Sequence, residues 1–295
     1  MLRIYTVDAF ASVAFEGNPA GVCIIDNEKL PFDDTKLQKI ASEVNLSETA
    51  FISQVTDGGD FKVGDEFNLR WFTPTNEVPL CGHGTLGAAA ALFYCIGNNS
   101  SSLKFHTLSG TLLARRCNDE IVLDFPLNEP TPMTEDDKDL MSLVQPVVGD
   151  LSVHEVQLSG STVKKLLIRL NDKVTRSDLE KLSPDPRELL SLHDGSKIKS
   201  IIVTVAGNEA TDDTREKYDF LSRNFAPWHG IPEDPVTGSA HTVLGPYWSE
   251  KLGKKELYAR QCSKRGGNIR VKLRDDSRVD LSGKAVIVME GSLRV

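Results

Sequence analysis

The stretch Pro79-Leu80-Cys81-Gly82-His83-Gly84-Thr85-Leu86-Gly87-Ala88-Ala89-Ala90-Ala91-Leu92 is a glycine-punctuated turn that runs into an alanine-rich segment. Alanine has the highest helix propensity, so the turn reads as a loop opening a helix. In such a start the backbone N–H groups of residues 82–85 lack intrahelical acceptors and lie at the positive end of the helix dipole, which suits a carboxylate or a phosphate. Three glycines within residues 82–87 carry an entropic cost that a purely structural helix start would not require. The plainer alternative is a tight turn leading into a buried helix.

Working outward, the same pattern recurs. Arg70-Trp71-Phe72-Thr73-Pro74 precedes this turn, and Arg223-Asn224-Phe225-Ala226-Pro227 precedes Glu233-Asp234-Pro235-Val236-Thr237-Gly238-Ser239-Ala240-His241. Pro74 lies eleven positions before Thr85 and Pro227 twelve before Ser239, each hydroxyl following a glycine, Gly84 or Gly238, at the head of an apolar segment. The echo predicts two α+β domains related by duplication, each presenting a helix N-terminus. Two such ends facing one cleft would grip a small carboxylate from both sides.

Strand-like alternation occupies residues 2–7 and an apolar run residues 20–25, with a turn at Phe15-Glu16-Gly17-Asn18-Pro19 that predicts their pairing. Residues 33–44 place Leu37, Ile40, Ala41 and Val44 on one helical face, with Asp33 or Asp34 as N-cap and Asn45 as terminator. Leu46-Ser47-Glu48-Thr49-Ala50-Phe51-Ile52 then feeds a strand, with Glu48 at the junction. Further strands are expected at 67–73, 103–107, 110–116, 121–125, 153–158, 163–170, 198–205, 218–225, 257–262, 268–272, 279–281 and 285–289. Helical segments are expected near 177–182 and 187–192. Pro126, Pro130 and Pro132 interrupt regular structure and mark the domain boundary, giving domains 1–128 and 129–295, with the last strand able to return to the first domain.

The 295 residues suffice for two domains with their own cores, and 40% hydrophobic with 26% charged residues is the balance of a globular chain. The net charge of -8 argues against nucleic acid as partner, because binding it rests on neutralising phosphates. Residues 1–8 lack the apolar run of a signal peptide, and the most apolar segment, 86–96, is far shorter than the roughly 20 residues that span a bilayer. The expectation is a cytoplasmic protein without membrane association. Cys23, Cys81, Cys95, Cys117 and Cys262 are odd in number and scattered, which fits reduced thiols.

Among chemistry-bearing residues, Glu48 is the leading acid/base candidate, since a desolvated carboxyl at a strand edge has its pKa raised toward neutrality, with a solvated strand-end glutamate as the alternative. Asp234 is expected to bind a substrate amine or relay a proton, or else to serve as a turn or N-cap aspartate. His83, between two glycines at a positive helix end, is expected to be neutral and to donate or accept a hydrogen bond, or else to be a surface turn histidine. Cys81 has the setting that lowers a thiol pKa, with an inert buried cysteine as the alternative. No His/Cys/acid spacing indicates a metal, the P-loop and dinucleotide fingerprints are absent, and Gly238-Ser239-Ala240-His241 lacks the serine-hydrolase elbow.

The ordered set Gly17-Asn18-Pro19-Ala20, Asn45-Leu46-Ser47-Glu48-Thr49-Ala50-Phe51, Leu69-Arg70-Trp71-Phe72-Thr73-Pro74, Cys81-Gly82-His83-Gly84-Thr85 and 233–241 resembles the PhzF family of phenazine-biosynthesis isomerases, essentially from end to end. The resemblance implies a diaminopimelate epimerase-like α+β fold: two similar domains, each a curved, mostly antiparallel sheet around a central helix. It implies a cofactor-free proton shift with Glu48 as catalytic glutamate, and His83 and Asp234 assisting transfer or orienting substrate. Gly84, Thr85, Gly238 and Ser239 would bind a carboxylate from the two helix ends, with Asn18 also lining the substrate. A homodimer and a WD-repeat-type protein partner also come with the resemblance. The related epimerases use one cysteine from each domain, whereas here only Cys81 falls in a matching turn. That favours acid/base isomerisation through Glu48 over a Cys81-dependent racemase or dehydratase. A non-catalytic binding or regulatory protein on an enzyme fold is the alternative from another class.

Overall fold

The structure, a computed structural model, describes residues 1–26, 32–56, 58–160, 163–207 and 216–295. Two compact units divide the chain: Met1–Phe125 with Ser282–Val295, and Pro126–Leu281.

In the first unit, β1 (Leu2–Ala9) and β2 (Asn18–Ile25) pair antiparallel, and α1 (Asp34–Val44) carries the chain to β3 (Glu48–Gln54), which lies parallel to β2. A parallel neighbour needs such a crossover. Asp33 caps α1 by accepting the Lys36 N–H at 2.8 Å, and Asn45 ends it in the left-handed conformation that asparagine tolerates. β4 (Glu66–Phe72) runs antiparallel to β3 and to the short β5 (Glu77–Val78). α2 (Gly82–Ala90), prolonged by a wider π-type turn over Ala91–Ile96, then crosses to β6 (Ser102–Thr107), parallel to β4. β7 (Gly110–Cys117) and β8 (Glu120–Pro126) continue as an antiparallel meander.

The second unit opens with β9 (Pro130–Pro132), a 3-10 segment over Glu135–Leu143 and α3 (Val144–Val148). β10 (Val153–Ser159) and β11 (Lys165–Leu170) follow, then α4 (Arg176–Glu180) and α5 (Pro186–Leu192), which cross to β12 (Ser200–Ala206), parallel to β11. β13 (Phe220–Phe225) is antiparallel to β12, and α6 (Gly238–Leu252) crosses to β14 (Glu256–Gln261), parallel to β13. β15 (Gly267–Leu273) and β16 (Arg278–Gly283) complete this part. β17 (Ala285–Leu293) pairs antiparallel along all of β1, so the C-terminal residues Ser282–Val295 are part of the first unit.

The duplication is visible in the strand pairings. From β17 through β1, β2, β3, β4 and β6 to β7 they run antiparallel, antiparallel, parallel, antiparallel, parallel, antiparallel. From β9 through β10, β11, β12, β13 and β14 to β15 the order is the same. α2 and α6 occupy the same crossover, and the echoed arginines repeat too. Arg70 makes a bidentate pair with Glu77 (2.7 and 2.7 Å) and stacks on Phe72; Arg223 does the same with Glu233 (2.7 and 2.7 Å) and Phe225.

α2 packs against β1, β2, β3, β7 and β17, and its residues from His83 to Ala90 are all buried. A helix enclosed on every side has no room for large side chains, which explains its run of glycine and alanine. α6 carries Pro246 in its interior, which removes the N–H that would bond the Thr242 carbonyl. That carbonyl accepts from Asn128 N–H instead, at 3.2 Å.

Two expectations need correction, and one stretch went unread. Pro130–Pro132 does not only interrupt structure: it forms the edge strand β9 beside β10, a position where proline is tolerated. The 3-10 segment and α3 before β10 carried no readable periodicity. The echo between helix starts is out of step as read, because the caps are Cys81 and Thr237, so Gly82 matches Gly238 and His83 matches Ser239. An added 3-10 turn at Pro227–His229 lengthens the second loop. Among the described residues no helix is long and apolar enough to cross a membrane.

Candidate active site

Parallel pairing sets Glu48, the first residue of β3, beside Ala20 of β2, and α2 packs on both strands. This places the Glu48 carboxylate at the N-terminal turn of α2, where His83 Nε2 lies 3.1 Å from Glu48 Oε2. Ser47 Oγ is 3.4 Å from the same nitrogen and also donates to the Pro19 carbonyl. Cys81 is the N-cap of α2: its backbone is extended, its Sγ accepts the Gly84 N–H at 3.3 Å, and His83 Nδ1 lies 3.5 Å from that sulfur. The Glu48 side chain is 20% exposed and the His83 side chain 8%, so the carboxylate is the more accessible member of the pair.

The charge state follows from these contacts. Burial alone would depress the His83 imidazole, but the contacts with Cys81 and Glu48 outweigh it and raise the imidazole well above its ordinary value. The neutral histidine expected from the helix dipole is therefore corrected to an imidazolium held by Glu48. Burial also raises the Cys81 thiol, with Glu48 adding to the effect and His83 opposing it, so the lowered thiol pKa considered from sequence is overturned.

Of the other candidates of this unit, Gly84 and Thr85 lie in the first turn of α2. Asn18 begins β2 and is fully buried. Gly84 has no room for a side chain, since a Cβ would stand 2.8 Å from Trp71 Cδ1 and 2.9 Å from Cys81 Sγ. Thr85 donates its hydroxyl to the Cys81 carbonyl at 2.6 Å and its N–H to the same oxygen at 3.0 Å. Gly84 and Thr85 thus serve the cap, and Gly82 and His83 carry the first-turn N–H groups without intrahelical acceptors.

In the second unit Asp234 accepts from the Thr237 hydroxyl at 2.6 Å, while its carbonyl accepts from Gln261 Nε2 at 2.6 Å and its N–H donates to Asn224 O at 3.0 Å. Gln261 Oε1 also takes the Thr237 N–H at 2.8 Å. The loop before α6 is fixed from β13 and β14 at once, and the turn Gly238-Ser239 follows it, Gly238 buried and Ser239 half-buried. Asp234 is not the N-cap; Thr237 is.

Sequence reasoning missed Lys165 and His241 here. Lys165 heads β11, before the apolar run Leu166-Leu167-Ile168, is buried, and donates to Ser200 Oγ at 2.8 Å. Burial lowers its ammonium to about 8, with Asp234 opposing. His241 Nδ1–H donates to the Thr237 carbonyl at 2.8 Å, and burial, aided by Lys165, lowers its pKa to about 4. Its Nε2, Asn224 Oδ1 and Ser222 Oγ are buried without hydrogen-bond partners among the described residues. A lysine inside an apolar strand was the available signal.

Residue spacing gives no sign of a metal, but the fold brings one donor set together. Glu48, Cys81 and His83 bring one ligand atom each within 4.8 Å of one another, a set formed across distant parts of the chain and so invisible to residue spacing.

The fold is the diaminopimelate epimerase-like α+β fold. The chain belongs to the PhzC-PhzF family, described as phenazine biosynthesis-like protein, whose sequence model matches residues 7–291. It is 50% identical over 292 residues to the phenazine biosynthesis-like domain-containing protein of Rattus norvegicus, covering 99% of each chain. It is 40% identical over 291 residues to an uncharacterized isomerase of Halalkalibacterium halodurans, covering 98% of this chain and 97% of that one. Among solved structures, the PhzF-family phenazine biosynthesis protein of Enterococcus faecalis superposes with a TM-score of 0.81 at 34% identity, covering 100% of this chain and 99% of that one.

Proposed function

We propose that this protein is a cofactor-independent isomerase that shifts a proton within a small carboxylate-bearing metabolite. The observation that carries the reading is the 3.1 Å contact between Glu48 Oε2 and His83 Nε2, with the carboxylate the more exposed partner. Such a pair holds an empty proton acceptor and a loaded proton donor side by side, as a proton shift requires. Glu48 takes a proton from a carbon next to an activating group, and the pair returns one to another carbon of the same molecule, with no net proton gained or lost. The N–H groups of Gly82 and His83 at the head of α2 attract a substrate carboxylate. Asp234, with the start of α6 at Gly238 and Ser239, is assigned to orienting the same class of substrate.

The bacterial relatives named isomerases support the reaction class, and the first-turn N–H groups of α2 support a carboxylate-bearing substrate. The test is a screen of small carboxylates in D₂O with mass-spectrometric readout. Deuterium should enter at least one of them, and Glu48→Gln should slow its entry by about 100-fold or more, the usual weight of a general base. Equal rates in the two proteins would remove Glu48 from the chemistry.

A further inference from the structure

We propose that Glu48, Cys81 and His83 form a binding site for a thiophilic divalent cation of the Zn²⁺ type, and that its occupation shuts off the acid/base pair. The three donors are one thiol, one imidazole and one carboxylate, the ligand types Zn²⁺ takes. Bond lengths of about 2.3 Å to sulfur and about 2.0–2.2 Å to nitrogen and oxygen put tetrahedral ligand atoms about 3.4–3.6 Å apart. Here His83 Nε2 stands 3.1 Å from Glu48 Oε2 and 3.9 Å from Cys81 Sγ, and all three donor atoms lie within 4.8 Å of one another. A small rotation of the half-buried Glu48 side chain closes the remaining gap.

The surroundings suit a metal thiolate. Cys81 Sγ already accepts the Gly84 N–H at 3.3 Å and sits at the positive end of α2, so backbone dipoles support negative charge on sulfur. Binding exchanges the thiol proton for the metal: the S–H bond breaks, its electron pair goes to the cation and the proton leaves to solvent. Three protein ligands would leave the fourth tetrahedral position to water. The site itself stands on geometry alone; only the inhibitory consequence rests on the proton-shift reading, because the cation would occupy both the acceptor and the donor.

Co²⁺ is the direct probe, since a cobalt thiolate gives a charge-transfer absorption that imidazole and carboxylate ligands do not. Reduced, chelator-treated protein titrated with Co²⁺ should develop that absorption at one equivalent, and Zn²⁺ should displace it. Cys81→Ser should abolish the band, and His83→Asn, which keeps the sulfur, should weaken Zn²⁺ binding by more than ~10-fold. No band at one equivalent, a band that survives Cys81→Ser, or one lost in Cys117→Ser, which removes an exposed thiol, would overturn the site. If Zn²⁺ binds yet leaves deuterium exchange unaffected, the inhibition fails while the site stands. Exchange measured on metal-free protein reports on the isomerase reading separately.

Discussion

At the scale of single residues, His83 gathers the consequences of the site. Its raised pKa means that the pairing stabilises the fold fully below about pH 6.5, the ordinary histidine value, and that this contribution is lost as pH rises through the folded-state value. An NMR titration of the His83 ring should give a midpoint above 6.5, and Glu48→Gln should lower it; a midpoint indifferent to Glu48 would contradict the ion pair. Lys165 makes the opposite case. Its pKa falls to about 8 from 10.5, so between those values the unfolded chain holds a proton that the folded chain has released, and stability should rise with pH across that window. The gain is on the order of 3 kcal/mol for so buried a group. Urea unfolding at pH 8 and pH 10 should show it in the wild type and not in Lys165→Met. Glu48 was legible because it stands where a helix terminator meets a strand. Lys165 and Gln261 were not, since their partners Ser200, Asp234 and Thr237 lie on other elements that only the folded sheet brings near.

At the scale of elements, α2 sets the geometry of the site, and its glycines divide into two kinds. A Cβ on Gly84 would press on Trp71 and Cys81, both buried, whereas one on Gly87 would meet Ala20 Cβ at 3.4 Å and Val22 Cγ2 and Val7 Cβ at 3.6 Å, ordinary contacts. Gly84→Ala should therefore destabilise by about 1–3 kcal/mol through overpacking. Gly87→Ala should be neutral or stabilising by up to about 1 kcal/mol, because alanine favours the helix. Chemical denaturation of the two variants tests the contrast, and equal effects would refute it. The strands and α1 with both its caps could be read because alternation, an N-cap aspartate and a terminal asparagine are local signals. β9, the 3-10 segment at Glu135–Leu143 and the π-type prolongation of α2 could not, because each depends on what packs beside it.

At the scale of the whole molecule, duplication gives both units one pairing order and one arginine–glutamate clasp, yet the two clasps differ in burial. Arg70 is 33% exposed and Arg223 only 8%, and Arg223 Nη1 also donates to the carbonyls of Leu179, Glu180 and Leu182. Truncating Arg223 leaves buried acceptors and the Glu233 carboxylate without their partner. Arg223→Ala should cost about 3–5 kcal/mol, while Arg70→Ala should cost about 1 kcal/mol. Thermal unfolding of both variants checks the order, and a larger loss for Arg70→Ala would reverse it. The repeat itself was readable from Arg70-Trp71-Phe72 and Arg223-Asn224-Phe225, though its register was not, because the second loop carries an extra turn. The two helix starts differ as well: Cys81 caps α2 where Thr237 caps α6, and only the first carries a thiol.

The proposed chemistry assigns the proton transfer to Glu48. Its most direct test is the rate of deuterium entry into a responsive carboxylate, measured in D₂O for the wild type, Glu48→Gln and Cys81→Ser under identical metal-free conditions. Glu48→Gln should lose about 100-fold or more. Exchange at the wild-type rate in that variant, with the loss falling on Cys81→Ser alone, would contradict it and assign the chemistry to the thiol.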